Sequence, residues 1–206
     1  MARPRLLSDE QIDAAARAVF LAHGPQASVA LIGEKLGVSH AALLQRAGSK
    51  ERLLLRALGP DRPPDFPALS AQPPSVGARE RLVELLLELH TCLTRVLPGL
   101  LVLRSAGVVM EAVIADAEPS TVALRRQLGT WLARTRAFEP RRARALAEAL
   151  LSTLEAHCYN AHVGGPSFAG GPPKRLLEGL LDALAPELAR KSSTRRVRRE
   201  RRRKTP

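Results

Sequence analysis

Aromatic residues make up only 3% of this 206-residue chain, with one Trp, one Tyr and four Phe. Any core must therefore be built from Leu, Ala and Val. No long run alternates β-branched with polar residues, which excludes a fold built on half-buried strands and leaves helices. Cysteine is scarce too: Cys92 and Cys158 lie far apart and form no Cys-x-x-Cys. That excludes a disulfide scaffold and is expected of reduced thiols in a cytoplasmic protein. Reaction chemistry is equally thin. The Gly-rich stretch 164–171 is not followed by Gly-Lys-Ser/Thr, Ser167 lacks a Gly-x-Ser-x-Gly setting, and no carboxylates pair in an apolar context. No catalytic residue, no cofactor and no metal are expected, so an enzyme is not.

What the chain has in excess is positive charge, and it is unevenly placed. The net charge is +12, but residues 190–206 hold ten Lys/Arg against Glu200 alone, which leaves +3 for everything before them. The basic end has neither an aromatic residue nor an apolar stripe, so it reads as a disordered tail able to touch nucleic acid without sequence preference. The opening residues show no apolar leader. The most apolar stretch, 100–114, is short for a membrane span and is interrupted by Arg104, so no membrane association is expected.

Helix boundaries are written in caps and breakers. Ser8 with Gln11 forms a capping box before Ile12, Ala15, Ala16, Val19 and Phe20, which recur at helical spacing. Gly24-Pro25 ends that helix. Ser28, Ser39 and Ser49 each open a further short helix. Residues 59–77 contain six prolines and read as an extended linker. A Leu stripe (Leu82, Leu85, Leu86, Leu89, Leu93, Val96) follows and is expected to break at Pro98-Gly99. Residues 100–117 read as a separate helix buried on several sides. Leu124, Leu128, Trp131 and Leu132 mark the next helix. The segments 140–163 and 173–190 each carry a broad apolar face.

Residues 28–50, SVALIGEKLGVSHAALLQRAGSK, are the most informative stretch. Val29, Ile32 and Leu36 share one face, Gly37 interrupts, and Val38, Ser39 and Leu43 begin a second short helix. Two short helices about a tight turn are a helix-turn-helix, whose second helix enters the major groove of DNA. In this setting His40, Ala41, Ala42 and Gln45 face the bases. Gln45 suits adenine and Ala42 a thymine methyl.

Residues 8–58 resemble the TetR family of bacterial transcriptional repressors. The resemblance rests on Ile12-x-x-Ala15-Ala16-x-x-Val19-Phe20-x-x-x-Gly24, then Ser28-Val29-x-x-Ile32-Gly33-x-x-Leu36-Gly37-Val38-Ser39, then Ser49-Lys50-Glu51-x-Leu53-Leu54. It departs at the end of the recognition helix, where the family's Tyr-x-His/Tyr-Phe is replaced by Leu44, Arg46 and Ala47. Leu44 cannot donate to a phosphate, whereas Arg46 can take over that anchoring. Ala47 leaves a hole worth ~3–5 kcal/mol unless Leu43, Leu44 or Leu55 fills it. The DNA-contacting set is therefore Ser28, Ser39, His40, Ala41, Ala42, Leu44, Gln45, Arg46 and Lys50, with Arg3 and Arg5 as a basic arm.

The fold class expected is all-α. Residues 1–58 form the helix-turn-helix domain with its linking helix, 59–77 the linker, 78–190 a helical ligand-binding and dimerisation body, and 191–206 the tail. The family resemblance implies a homodimer through helices 140–163 and 173–190, double-stranded DNA with half-sites ~34–36 Å apart, an unidentified small-molecule effector, and a cytoplasmic, nucleoid-associated place in a bacterium. A degenerate member, dimeric and holding nucleic acid only by its tail, is the alternative. His157, Cys158, Tyr159 and His162 are the one polar cluster on an apolar helix, with His90 and Cys92 on another. His157 and His162 are five apart, off a common helical face. The cluster is therefore read as lining a ligand pocket or dimer seam, the pocket drawing on His90, Met110, Trp131, His157 and Tyr159, with Phe138 nearby.

Overall fold

The computed structural model describes residues 7–59, 66–109 and 121–188. Met110, Arg3, Arg5 and the tail lie outside them. The described residues are helical with no strand, the all-α class the composition demands. In chain order the helices are α1 (Asp9–His23), α2 (Val29–Leu36), α3 (His40–Ala47), α4 (Lys50–Leu58), α5 (Pro67–Ser70), α6 (Ala78–Ser105), α7 (Thr121–Arg134), α8 (Pro140–Gly164) and α9 (Pro173–Leu184). They divide into two compact units. Among the described residues, 7–59 and 95–109 form the first; 66–94 and 121–188 form the second.

Each short helix of the first unit starts where its cap stands. Gln11 N–H donates to Ser8 Oγ at 3.2 Å, and Ser8 N–H donates to Gln11 Oε1 at 2.9 Å, closing the capping box. Ser28, Ser39 and Ser49 accept from the backbone N–H of Ala30, Ala42 and Arg52. Around these helices Ile12, Ala16, Phe20, Val29, Ile32, Leu43, Leu53 and Leu58 form one buried cluster. Ala47 is buried within it at 6% exposure, with Leu43 buried and Leu44 partly buried. Leu55, the third residue expected to fill the space beside Ala47, is instead exposed. It follows Leu54 by one position, about 100° round the helix, and so faces away from the core that Leu54 enters.

The second unit is a separate Leu-rich core. Leu82, Leu85, Leu86 and Leu89 of α6 join Leu128, Trp131 and Leu132 of α7, Leu146, Leu150 and Leu154 of α8, and Leu177 and Leu181 of α9. The proline-rich stretch is not wholly extended. Pro67 opens the short α5, and Phe66 and Leu69 are buried in this core. Arg134 fastens it by donating to the carbonyls of Ser70 at 2.8 Å and Leu69 at 2.6 Å. Apolar burial thus overrides the proline count.

The expected break at Pro98-Gly99 does not occur. α6 runs unbroken for 28 residues with Pro98 inside it, and residues 100–105 are its last turns rather than a new helix. Proline cannot donate to the Thr94 carbonyl one turn earlier. Close packing within the first unit offsets that loss. Leu103 is fully buried in its core, and Arg17 donates to the carbonyls of Ala57 and Arg95. Gly99 is needed for proximity: a Cβ there would lie 2.6 Å from the Leu58 carbonyl oxygen and 3.3 Å from Arg17 Nη1. By length and composition α6 could also cross a membrane. Leu82, Val83, Leu85, Leu86, Leu89 and Leu103 enter the two cores described, while Val96, Leu97 and Leu101 are half-buried.

Gly99→Ala is expected to lower stability by ~1–3 kcal/mol in urea unfolding, the scale of overpacking. Gly179→Ala is the control. It sits in α9 with open space around it and is expected to stabilise by up to ~1 kcal/mol through helix propensity alone.

Candidate nucleic-acid interface

The turn between α2 and α3 is set by backbone alone. Gly37 takes the left-handed conformation, φ 68° and ψ 31°, and its N–H turns back to the Glu34 carbonyl. Val38 N–H returns to the Gly33 carbonyl at 3.0 Å. These two bonds are the Schellman closure that satisfies the last carbonyls of α2. The turn is so tight that a Cβ at Gly33 would lie 2.7 Å from the Val38 oxygen and 3.5 Å from Leu43 Cδ1. Ser39 then caps α3, and Leu43 and Ala47 anchor its inner face.

With those two residues inward, His40, Ala41, Ala42, Gln45 and Arg46 form a continuous exposed face. Ser28 and Ser39 are exposed at the helix starts, and Lys50 occupies the first turn of α4, half-buried. Leu44 lies partly against the core. Beyond Gln45 the surface opens into a groove of about 590 Å³ lined by Gln45, Arg46, Ala47, Gly48, Arg52, Leu55 and Arg56.

The charges of this groove are partly engaged. Arg46 pairs with Asp9 at 2.8 Å and also donates to the Leu7 carbonyl. Arg56 pairs with Asp13 at 2.6 Å. Arg52 forms no ion pair with a described residue. The sequence pattern does not mark Arg52 as a contact residue, although its position in the first turn after the Ser49 cap is readable there. Glu10 and Glu51 sit in the first turns of α1 and α4. The Ser8 side chain holds the Glu10 carboxyl below its usual range, and backbone N–H donation does the same for Glu51.

The residues expected to line a ligand pocket differ in burial. Trp131 is fully buried in the second core and Tyr159 is 47% exposed. His90 and His157 meet, His90 Nε2 lying 3.1 Å from His157 Nδ1 with the rings edge-to-face. The other ring nitrogen of His157 reaches the Gly171 carbonyl at 3.0 Å. Cys158 is buried beside them, its Sγ 3.5 Å from Thr94 Oγ1. Burial, then the facing His157, pushes the His90 pKa down. Burial pushes the Cys158 thiol up.

A depressed histidine pKa means that the unfolded chain takes the proton first. Stability from His90 is therefore intact above its ordinary value of 6.5 and is lost as pH falls below it. Urea unfolding between pH 7 and pH 5 is expected to show declining stability, and His90→Gln to flatten that decline. An equal slope in the variant would contradict the assignment.

No curated protein matches the chain in sequence. Residues 12–57 match the family model of bacterial regulatory proteins, tetR family, a span that begins in α1 and ends in α4. The geometry of that span and the match agree: residues 12–57 are a TetR-family helix-turn-helix region, the DNA-binding part of a transcriptional regulator.

Proposed function

We propose that the protein is a ligand-responsive repressor that binds a palindromic operator as a homodimer. The observation that supports this reading is the outward face of α3. His40, Ala41, Ala42 and Gln45 are all exposed while Leu43 and Ala47 are buried, so the face presented to solvent is the one a major groove would receive. Gln45 pairs with adenine through its amide, and Ala42 meets a thymine methyl. Ser28, Ser39 and Lys50 hold phosphates at helix starts. Arg46 joins them by exchanging Asp9 for a phosphate.

Dimerisation through α8 and α9 is supported by the apolar surface left there. Tyr159 and Val163 on α8 and Leu184 on α9 are each more than 40% exposed, as is Phe168 in the loop between them, and two copies of such a helix pair bury this surface as a four-helix seam. A small effector lowers operator affinity by binding better to the dimer whose two α3 helices do not fit adjacent half-sites. Such a repressor works in the bacterial cytoplasm, at the nucleoid, with residues 191–206 adding sequence-independent attraction. One observation favours a second reading, a dimeric module that no longer selects an operator: Arg46 is already neutralised by Asp9.

Titration of short duplexes at two salt concentrations separates them. The repressor binds one palindrome ~10³-fold or more above random DNA. Gln45→Ala costs ~1–3 kcal/mol at a single base position, and Asp9→Ala strengthens binding by releasing Arg46. Removal of 191–206 weakens binding to all sequences and flattens the salt dependence. Uniform weak binding that vanishes with the tail overturns the operator reading.

A further inference from the structure

We propose that His90, His157 and Cys158 form a binding site for a thiophilic divalent metal ion of the zinc type. From sequence, metal binding is disfavoured because His157 and His162 are off a common face. The folded chain instead draws its ligands from two helices. His90 comes from α6, while His157 and Cys158 come from α8. One ligand atom from each lies within 4.8 Å of the other two.

The separations match one ion. Two imidazole nitrogens on a tetrahedral zinc, each at ~2.0–2.1 Å, stand about 3.3 Å apart, and a nitrogen and a thiolate stand about 3.5 Å apart. His90 Nε2 and His157 Nδ1 are 3.1 Å apart, so an ion opens that pair by a few tenths of an ångström and draws the sulfur in. The surroundings are those of a metal ligand as well. His157 Nε2 lies 3.0 Å from the Gly171 carbonyl. As the donor to that carbonyl it leaves Nδ1 with its lone pair facing His90, the outer-sphere arrangement that fixes the tautomer of metal-bound histidine.

With no ion, His90 supplies the shared proton from Nε2. On loading, that proton moves to Nδ1 through solvent, which half-buried His90 can reach, and Nε2 takes the metal. Cys158 gives up its thiol proton, so one proton leaves per ion bound and the affinity rises with pH. Burial and the neighbouring Glu155, itself held by Arg125 at 2.6 Å, oppose an unmetallated thiolate. The ion's charge is what stabilises one. A mixed nitrogen–sulfur set selects zinc over magnesium or calcium, and the fourth position is left to water or a small ligand.

Cobalt(II) is the probe, titrated without oxygen into the tag-free full chain with zinc(II) as competitor. One equivalent of cobalt is expected, with thiolate-to-cobalt charge-transfer absorption and four-coordinate visible bands that zinc abolishes. Cys158→Ser removes the charge-transfer band. His90→Gln weakens binding by more than the ~10–100-fold typical of outer-sphere changes. Cys92→Ser leaves every signal in place. Circular dichroism checks each fold, and His90→Gln carries the test if Cys158→Ser does not fold. A wild-type chain without the thiolate band overturns the proposal. So does a band that survives Cys158→Ser, or one that depends on Cys92.

Discussion

The geometry of the reading head depends on the missing side chain at Gly33. The chain must reverse within Gly37 and Val38, and it does so by bringing the Val38 carbonyl to within 2.7 Å of where a Cβ at Gly33 would sit. That closeness lets Val38 N–H reach the Gly33 carbonyl, which ends α2, and it starts α3 at Ser39. The placement of Leu43 and Ala47 follows from that start, and with it the direction in which Gln45 points. Hydrophobic burial supplies the stability here. The turn decides which residues are left outside.

Two Leu-rich cores with few aromatics pose a packing problem that the chain solves with long helices. Aliphatic side chains lack the area of rings, so many must be buried together. The second unit does this along α6, α7, α8 and α9, with Phe66, Trp131 and Phe138 as its buried rings. The first unit is small, and α6 supplements it with Leu103 and with a close approach at Gly99. Arg17 supplies two donors, to the Ala57 carbonyl near the end of α4 and to the Arg95 carbonyl on α6.

Local features were legible in the sequence. The serine caps, the tight turn at Gly37 and the buried faces of α1 and α3 depend on residues a few positions apart, where residue type alone decides the outcome. Features that depend on distant contacts were not. Pro98-Gly99 reads as a break because each residue is a helix breaker in isolation. Only the Leu58 carbonyl and Leu103's burial reveal why the helix continues. Arg46 reads as a free cation because Asp9 lies thirty-seven positions earlier. The His90–His157 pair is invisible to spacing within one helix, since its members come from two. Leu55 was misplaced for a different reason: several leucines in a row leave the inward phase of α4 undecided.

Within the first unit, Gly99 and Leu103 lie four residues apart on α6, so they share one face of the helix. Gly99 meets the Leu58 carbonyl and Leu103 enters the core of the same unit. One inserted residue between them would swing Leu103 by about 100° away from its seat. The four positions from 99 to 103 can therefore change in composition more readily than in number.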